Sequence, residues 1–217
     1  AAAVTASRVV VEGLAGTRFT LAAGGGRVPV ALRLPGRHNV YNALAAAAVG
    51  QAFGVEPGAI RRGLESARPA GMRGVLHRLE AGIELLDDSY NSNPAAMERA
   101  LELLAAVKPR GRRVVVMGDM LELGPAAKRA HAAIGRRARA ARLGLLVTAG
   151  PLARHAHDAA RGARGLERRH FEDAGQAAVF VTGALRPGDL VLVKGSRGTR
   201  METVVRAVLA ARGGEGV

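Results

Sequence analysis

Three short apolar runs constrain this chain more than anything else in it. RRVVVMG, LGLLVTAG and GDLVLVKG are β-branched or leucine-rich and almost free of polar alternation, and each ends in glycine. A strand with no polar face must be covered on both sides, which is the condition of a central parallel strand. The segments between the runs are long enough, and periodic enough, to be helices. Strands are expected at 75–79, 83–87, 112–117, 144–149 and 189–193, and helices at 94–107, 126–142, 151–161, 173–184 and 199–212. Strands alternating with helices of ten or more residues form βαβ units and close into an α/β doubly wound, mostly parallel sheet. Ligands bind such sheets beyond the carboxyl ends of the strands. The chemistry should therefore lie at 88–93, 118–124 and 194–200, just after three of the strands.

The first 70 residues read differently. RVVVEG, TRFTL and RVPVALRL are separated by glycine turns and suggest two or three antiparallel strands. NVYNALAAAAVGQAF then forms a helix capped by Asn39, and a second helix runs from Pro57 to about residue 67, with proline in its first turn. RPAGMRG has loop chemistry and marks a domain boundary near residue 70.

Net charge is +14, which by itself invites an acidic partner such as nucleic acid. The residue types argue against that reading. Of the 32 basic residues 29 are arginine, spread over many helices in a chain rich in alanine and glycine, as biased codon usage would produce. Arg136, Arg137, Arg139 and Arg142 alone cluster closely and are expected to form a solvated helix face. Aromatic residues make up 3% of the chain, too few for a base-stacking platform. No cysteine is present, so disulfides and thiolate sites are excluded, and a reducing cytoplasmic setting is permitted. No apolar run approaches the ~18–20 residues of a membrane span, and the first residues lack the pattern of a signal peptide.

Five groups of residues carry chemical interest. Asn39 and Asn42 lie three apart at a helix start and share a face; an amide offers the paired donor and acceptor that an adenine edge needs. Spacing alone equally allows a cap and a surface residue. Arg73 and Asp88 flank a strand pair and suit a phosphate and a ribose diol, or form a surface ion pair. DDSYNSNP crowds Asp88, Ser89, Asn91 and Asn93 before a helix beginning at Pro94; one of them, Asn93, is the natural cap, which leaves the others to be explained. In GDMLELG, Gly118 suits a tight turn, while Asp119 and Glu122 could take an ammonium group or cap the following helix; His131, deep in that helix, is read as structural. KGSRGTRME places Lys194, Ser196 and Arg197 where a strand gives way to a helix, a natural cradle for a carboxylate or phosphate.

The order and spacing of HNVYNALAAA, GMR, DDSYNSNPAAM, VVVMGDMLELG with its following histidine, and LVLVKGSRGTRME resemble the Mur ligases over residues 35–210. Within that family the strings are most similar to the branch that adds D-alanyl-D-alanine to UDP-N-acetylmuramoyl-tripeptide. The resemblance implies that residues 1–70 end a central ATPase domain and that residues 71–217 form a Rossmann-like C-terminal domain. It implies adenine contacts for Asn39 and Asn42, ribose or phosphate contacts for Arg73 and Asp88, and dipeptide contacts for Asn91, Asn93, Lys194, Ser196 and Arg197. It implies ATP and Mg2+ as the cofactors of the complete enzyme, with UDP-N-acetylmuramoyl-tripeptide and D-alanyl-D-alanine as the other partners, in a cytoplasmic monomer that binds neither nucleic acid nor membrane. Ser92 departs slightly from the family, which often has alanine there.

One departure is larger. No GxxxxGK[ST] string occurs, and AAGGGRVPV lacks both the Lys-Ser/Thr pair and the helix that a phosphate loop requires. The metal ligands of the family's central domain are expected upstream of residue 1, so neither a catalytic residue nor a metal ligand is assigned within this chain. A ligase part inactive alone, a ligase for another amino acid, a non-catalytic nucleotide or peptide binding module, and a charge-driven nucleic-acid binder remain as distinct readings.

Overall fold

The computed structural model describes residues 4–216. Contacts divide the chain into two compact units that meet at Pro69 and Ala70.

The first unit is an antiparallel sheet of β1 (Thr5–Val11), β2 (Thr17–Ala23) and β3 (Gly26–Leu32), covered by α1 (Arg37–Ala52) and α2 (Pro57–Ser66). Period-two alternation builds its core. Phe19 and Leu21 of β2 and Val30 and Leu32 of β3 face Val40, Ala43 and Ala47 of α1 and Ile60 and Leu64 of α2. Asn39 is not the cap of α1. The helix starts two residues earlier, after Gly36, whose φ of 92° belongs to the region glycine tolerates. Asn39 sits in the first turn, and its Nδ2 donates to the Pro35 carbonyl at 2.9 Å.

The second unit contains β4 (Val75–Leu79), β5 (Glu84–Asp88), α3 (Pro94–Ala106), β6 (Arg113–Gly118), α4 (Ala127–Ala140), β7 (Leu145–Ala149), α5 (Arg154–Ala159), β8 (Glu167–Phe171), α6 (Ala174–Ala184), β9 (Leu190–Lys194), α7 (Glu202–Arg212) and β10 (Gly214–Gly216). The sheet order is β10-β4-β5-β9-β6-β7-β8. The five strands from β5 to β8 in that order are parallel, while β4 and β10 pair antiparallel. The fold is thus the mixed, mostly parallel doubly wound sheet expected. Each expected central strand is present within one residue of its expected bounds.

Two elements escaped the sequence. The β8 segment ERRHF is half-buried and mostly polar, because a sheet-edge strand has a covered side only toward β7. The three-residue β10, with two glycines, carries no pattern at all.

Helices cover both faces. Val114, Val116, Leu145, Val147, Val191 and Val193 pack on Ala177 and Val181 of α6 and on Val204 and Val208 of α7. The opposite face is covered by α3, α4 and α5, which pack on one another and on β9 and β7. This arrangement follows from right-handed crossovers: steps from β5 to β8 run one way across the sheet, and the step from β8 back to β9 runs the other. The connections leaving β5 and β6 turn to the α3–α4 face, whereas the connection leaving β9, which lies between them, turns to α7 on the other face. The carboxyl end of β9 is therefore the topological switch point, where a crevice opens.

The amino edge is held by a buried ion pair. Asp189, fully buried, takes two bonds from the Arg112 guanidinium, Nη2 at 2.8 Å and Nε at 3.2 Å, together with the backbone N–H groups of Arg112 and Arg186, each at 2.9 Å. Removing the carboxylate would leave a largely buried guanidinium with only the Ala184 carbonyl, 2.8 Å from Nη2, and two backbone N–H groups without an acceptor. Asp189→Ala is expected to destabilise the fold by about 3–5 kcal/mol, read as a lowered urea midpoint with circular dichroism.

Candidate functional site

Strand register brings the principal pair together. Asp88 closes β5 and Lys194 closes β9, and the two residues are direct neighbours in the parallel ladder. Alternation turns Val191 and Val193 to the α7 face, so Lys194 points to the α3 face. Its side chain is 3% exposed, and its ammonium group donates to Asp88 Oδ2 at 2.6 Å and to the Asn91 carbonyl at 3.0 Å, with one N–H left over. A buried ammonium requires such partners, because its desolvation would otherwise outweigh anything it gains.

Ser196 knots the surrounding loops. Its hydroxyl accepts the Leu121 N–H at 2.9 Å and donates to the Ser92 carbonyl at 3.2 Å. Its own N–H reaches the Asp119 carbonyl at 2.9 Å, and its carbonyl accepts the Thr199 hydroxyl at 2.7 Å. The loops after β5, β6 and β9 thus meet on one buried serine. Space at this junction admits only glycine. A Cβ on Gly195 would stand 2.5 Å from Met201 Cγ and 2.6 Å from Thr199 Oγ1, and one on Gly118 would stand 2.7 Å from Thr199 Oγ1 and 2.8 Å from Met201. Gly118 suits a tight turn by its sequence, but its φ is not positive, and close approach is the reason for the glycine.

The remaining candidates are placed as follows. Arg73 and Asp88 do not pair with each other. The Arg73 guanidinium lies 4.0 Å above the Tyr90 ring, and Asp88 belongs to Lys194. Asn91 Oδ1 accepts the Ser92 N–H at 2.8 Å, and Asn93 Oδ1 caps α3 through the Ala96 N–H at 2.8 Å. Ser89 is buried and bonds the Asp87 carboxylate at 2.6 Å. Arg197 is exposed and pairs at 2.9 Å with Glu202, a buried carboxylate that also meets Arg206 at 3.5 Å. In the first unit Asn39 and Asn42 are coupled directly, Asn42 Nδ2 donating to Asn39 Oδ1 at 3.0 Å. This leaves one N–H and the Oδ1 of Asn42 for a ligand.

Asp119 neither caps the helix that follows nor faces solvent. It is buried, and its carboxylate receives the Ala153 N–H at 2.6 Å, before α5. Glu122 is exposed, with a left-handed φ of 62°. The Arg136, Arg137, Arg139 and Arg142 cluster is exposed, and Arg137 meets Glu98 of α3 at 2.9 Å. His131 is fully buried and bonds backbone on both ring nitrogens, Met120 N–H at 2.8 Å and the Ala127 carbonyl at 2.7 Å.

Tyr90, Glu202 and the buried serine junction were not identified from sequence as parts of the site. Tyr90 stands inside the polar string DDSYNSNP, and an aromatic residue there, close beyond Arg73, was the available signal.

Comparison with known proteins now decides the family. The family model described as "Mur ligase, glutamate ligase domain" matches residues 72–197. The chain belongs to the Mur ligase family. The model described as "Mur ligase middle domain" matches residues 1–50. The UDP-N-acetylmuramoyl-tripeptide–D-alanyl-D-alanine ligase of Escherichia coli K12 is 40% identical over 197 residues, covering 89% of this chain and 42% of that Mur ligase. The enzyme of the same name from Bacillus subtilis is 31% identical over 175 residues, covering 80% of this chain and 38% of its own length. A crystal structure of MurF from Acinetobacter baumannii superposes with a TM-score of 0.87 at 31% identity, over 96% of this chain and 45% of that one. A MurF ligase from Thermotoga maritima, solved with ADP, shares the fold with a TM-score of 0.75 at 23% identity, over 96% of this chain and 46% of that one. The chain therefore spans less than half the length of the Mur ligases it matches.

The close packing at Gly195 yields a test. Gly195→Ala is expected to cost about 1–3 kcal/mol through overpacking and to speed hydrogen exchange at the Ser196 amide, measured by NMR, while exchange in β7 and α6 stays slow.

Proposed function

We propose that this chain supplies the nucleotide and dipeptide side of an ATP-dependent ligase that joins D-alanyl-D-alanine to UDP-N-acetylmuramoyl-tripeptide in the cytoplasm, working as a monomer in peptidoglycan precursor synthesis. The observation that carries the reading is the buried Lys194 at the switch point, braced by Asp88 and the Asn91 carbonyl with one N–H unspent. Similarity to proteins named for this reaction supplies the substrates.

In the reaction the precursor carboxylate takes the terminal phosphoryl group of ATP, forming an acyl phosphate and ADP. The dipeptide amine then attacks the acyl carbon, phosphate leaves, and a proton is released as the amide forms. The residues of this chain bind and orient. Asn42, steadied by Asn39, offers its donor and acceptor to adenine. Arg73, stacked on Tyr90, and Asp88 serve the phosphate and ribose side. Lys194 and Arg197 attract the dipeptide carboxylate, the amide N–H groups of Asn91 and Asn93 add donors beside it, and Ser196 holds their loops together. Among the described residues no group of three or more His, Asp or Glu side chains is gathered to hold a metal ion. No described helix is long and apolar enough to cross a membrane.

Calorimetry and turnover test the reading together. Lys194→Ala and Arg197→Ala should each weaken D-alanyl-D-alanine binding roughly 10-fold or more, and Asn42→Ala should weaken ATP binding by about 5–10-fold. The chain alone should show no ligation, having no phosphate loop; activity is expected only when the N-terminal portion of a homologous ligase is added in trans. Robust turnover by this chain alone, or dipeptide binding indifferent to Lys194, would overturn the proposal.

A further inference from the structure

His131 lies on α4, away from every group assigned above, yet both of its ring nitrogens are committed. Nδ1 faces the Ala127 carbonyl at 2.7 Å, which can only accept, so Nδ1 carries the proton. Nε2 is then a bare lone pair, and the Met120 N–H donates to it at 2.8 Å. Met120 has no other acceptor within the short loop after β6. The residues on either side of it hold Ser196, Asp119 through its carbonyl and Leu121 through its N–H. Three successive residues therefore link the imidazole to the serine on which the loops after β5, β6 and β9 converge. We propose that His131 is a positioning residue for the dipeptide side of the site: its neutral imidazole holds the loop at 119–121 in the register that fixes Ser196 between Leu121 and Ser92. This rests on the functional reading given above and adds a part to it.

The chemistry makes the device one-sided. A protonated imidazole has two donors and no acceptor, so it would confront the Met120 N–H with another N–H. Burial already disfavours that cation and lowers the His131 pKa from its ordinary value near 6.5. Two titratable neighbours act on the ring from the elements around it: Asp119, in the loop after β6, opposes the shift, and His155 on α5 adds to it. α3, which also packs on α4, turns Glu98 to Arg137 instead. The sign follows. A depressed folded pKa means the unfolded chain binds more protons, so the contribution of His131 is complete above about pH 6.5 and is lost as pH falls through the folded value.

The test uses the full 217-residue chain, D-alanyl-D-alanine as the probe, and two variants. His131→Gln keeps an acceptor near the position of Nε2 and cannot titrate; His131→Ala leaves the Met120 N–H unpaired. In the native chain, dipeptide affinity should fall on acidification with the midpoint at which the His131 ring nitrogens titrate by NMR, and the Met120 and Ser196 amide shifts should move with the same midpoint. His131→Gln should bind within about 3-fold of the native chain at neutral pH and lack that acid limb. His131→Ala should bind at least 10-fold more weakly at all pH values, with faster exchange at Ser196. Native affinity and unchanged Ser196 exchange in His131→Ala, or an acid limb that persists in His131→Gln, would overturn the proposal. If the native chain fails to bind the dipeptide at all, the ligase reading fails by itself, and co-titration of the Met120 and Ser196 amides with His131 still decides whether the residue positions the loop.

Discussion

A lysine buried at the end of a central strand is tolerable only when other groups carry its charge, and that requirement organises the carboxyl edge of the sheet. Lys194 ends β9, the last of the parallel strands, which enters the sheet between β5 and β6 and leaves by the opposite face. Parallel register supplies Asp88 as its neighbour without any further design, since the two strands end together. The second bond, to the Asn91 carbonyl, pins the loop after β5. Breaking the pair from one side would strand a poorly hydrated ion, which is why such pairs resist partial change even when they add little net stability. One ion pair thus connects strand order, loop position and the electrostatic character of the crevice.

The second determinant is space. The ends of β6 and β9 approach so closely that the loop carrying Thr199 and Met201 lies over Gly118 and Gly195 with no room for a Cβ on either. The fully buried Met201 and Met120 fill the gap on the apolar side, and Ser196 fills it on the polar side. With its hydroxyl both donating and accepting, Ser196 belongs to the frame rather than to the exposed lining. Loops that share a buried polar residue lose their independence: a displacement at 119–121 is transmitted to 92 and to 199 through the bonds of one close-packed hydroxyl and carbonyl.

The sequence disclosed what periodicity and chemistry control. Continuous apolar runs located the three central strands β6, β7 and β9 to within a residue, since double burial leaves no other composition available to a segment such as LVLVK. The polar strings that follow them are where the close contacts occur. What remained illegible depended on tertiary neighbours. ERRHF is a strand only because β7 offers it an edge. Arg73 and Asp88 were adjacent in motif order but take different partners, a tyrosine ring and a lysine 106 residues away. Asp119 has the chemistry of an ammonium partner or a cap for the following helix, and its carboxylate receives an N–H from the turn before α5, 34 residues on. Asn39 had the identity of a cap, but the cap position falls three residues earlier, at a glycine whose φ the sequence does not announce. Charge and hydrogen-bonding capacity are written in residue types; the partner that uses them is written in topology.

The two cations of the crevice differ in a way that bears on what such a site can hold. Lys194 is fixed, since two of its three protons are spent on Asp88 and the Asn91 carbonyl, so it presents one donor in one direction. Arg197 is more than half exposed, and its bond to Glu202 occupies one corner of a five-donor fork. Glu202 in turn is shared with Arg206 and keeps one buried oxygen without a partner, so the negative charge beside Arg197 is not fully committed to it. An arriving carboxylate need not break the Arg197–Glu202 pair, because that pair uses Nη1 alone and leaves the other nitrogens of the fork. A rigid ammonium set by the sheet and an adaptable guanidinium on the loop above it give one point of registration and one of accommodation. That division suits a small carboxylate that must be held accurately at one end while its surroundings close over it.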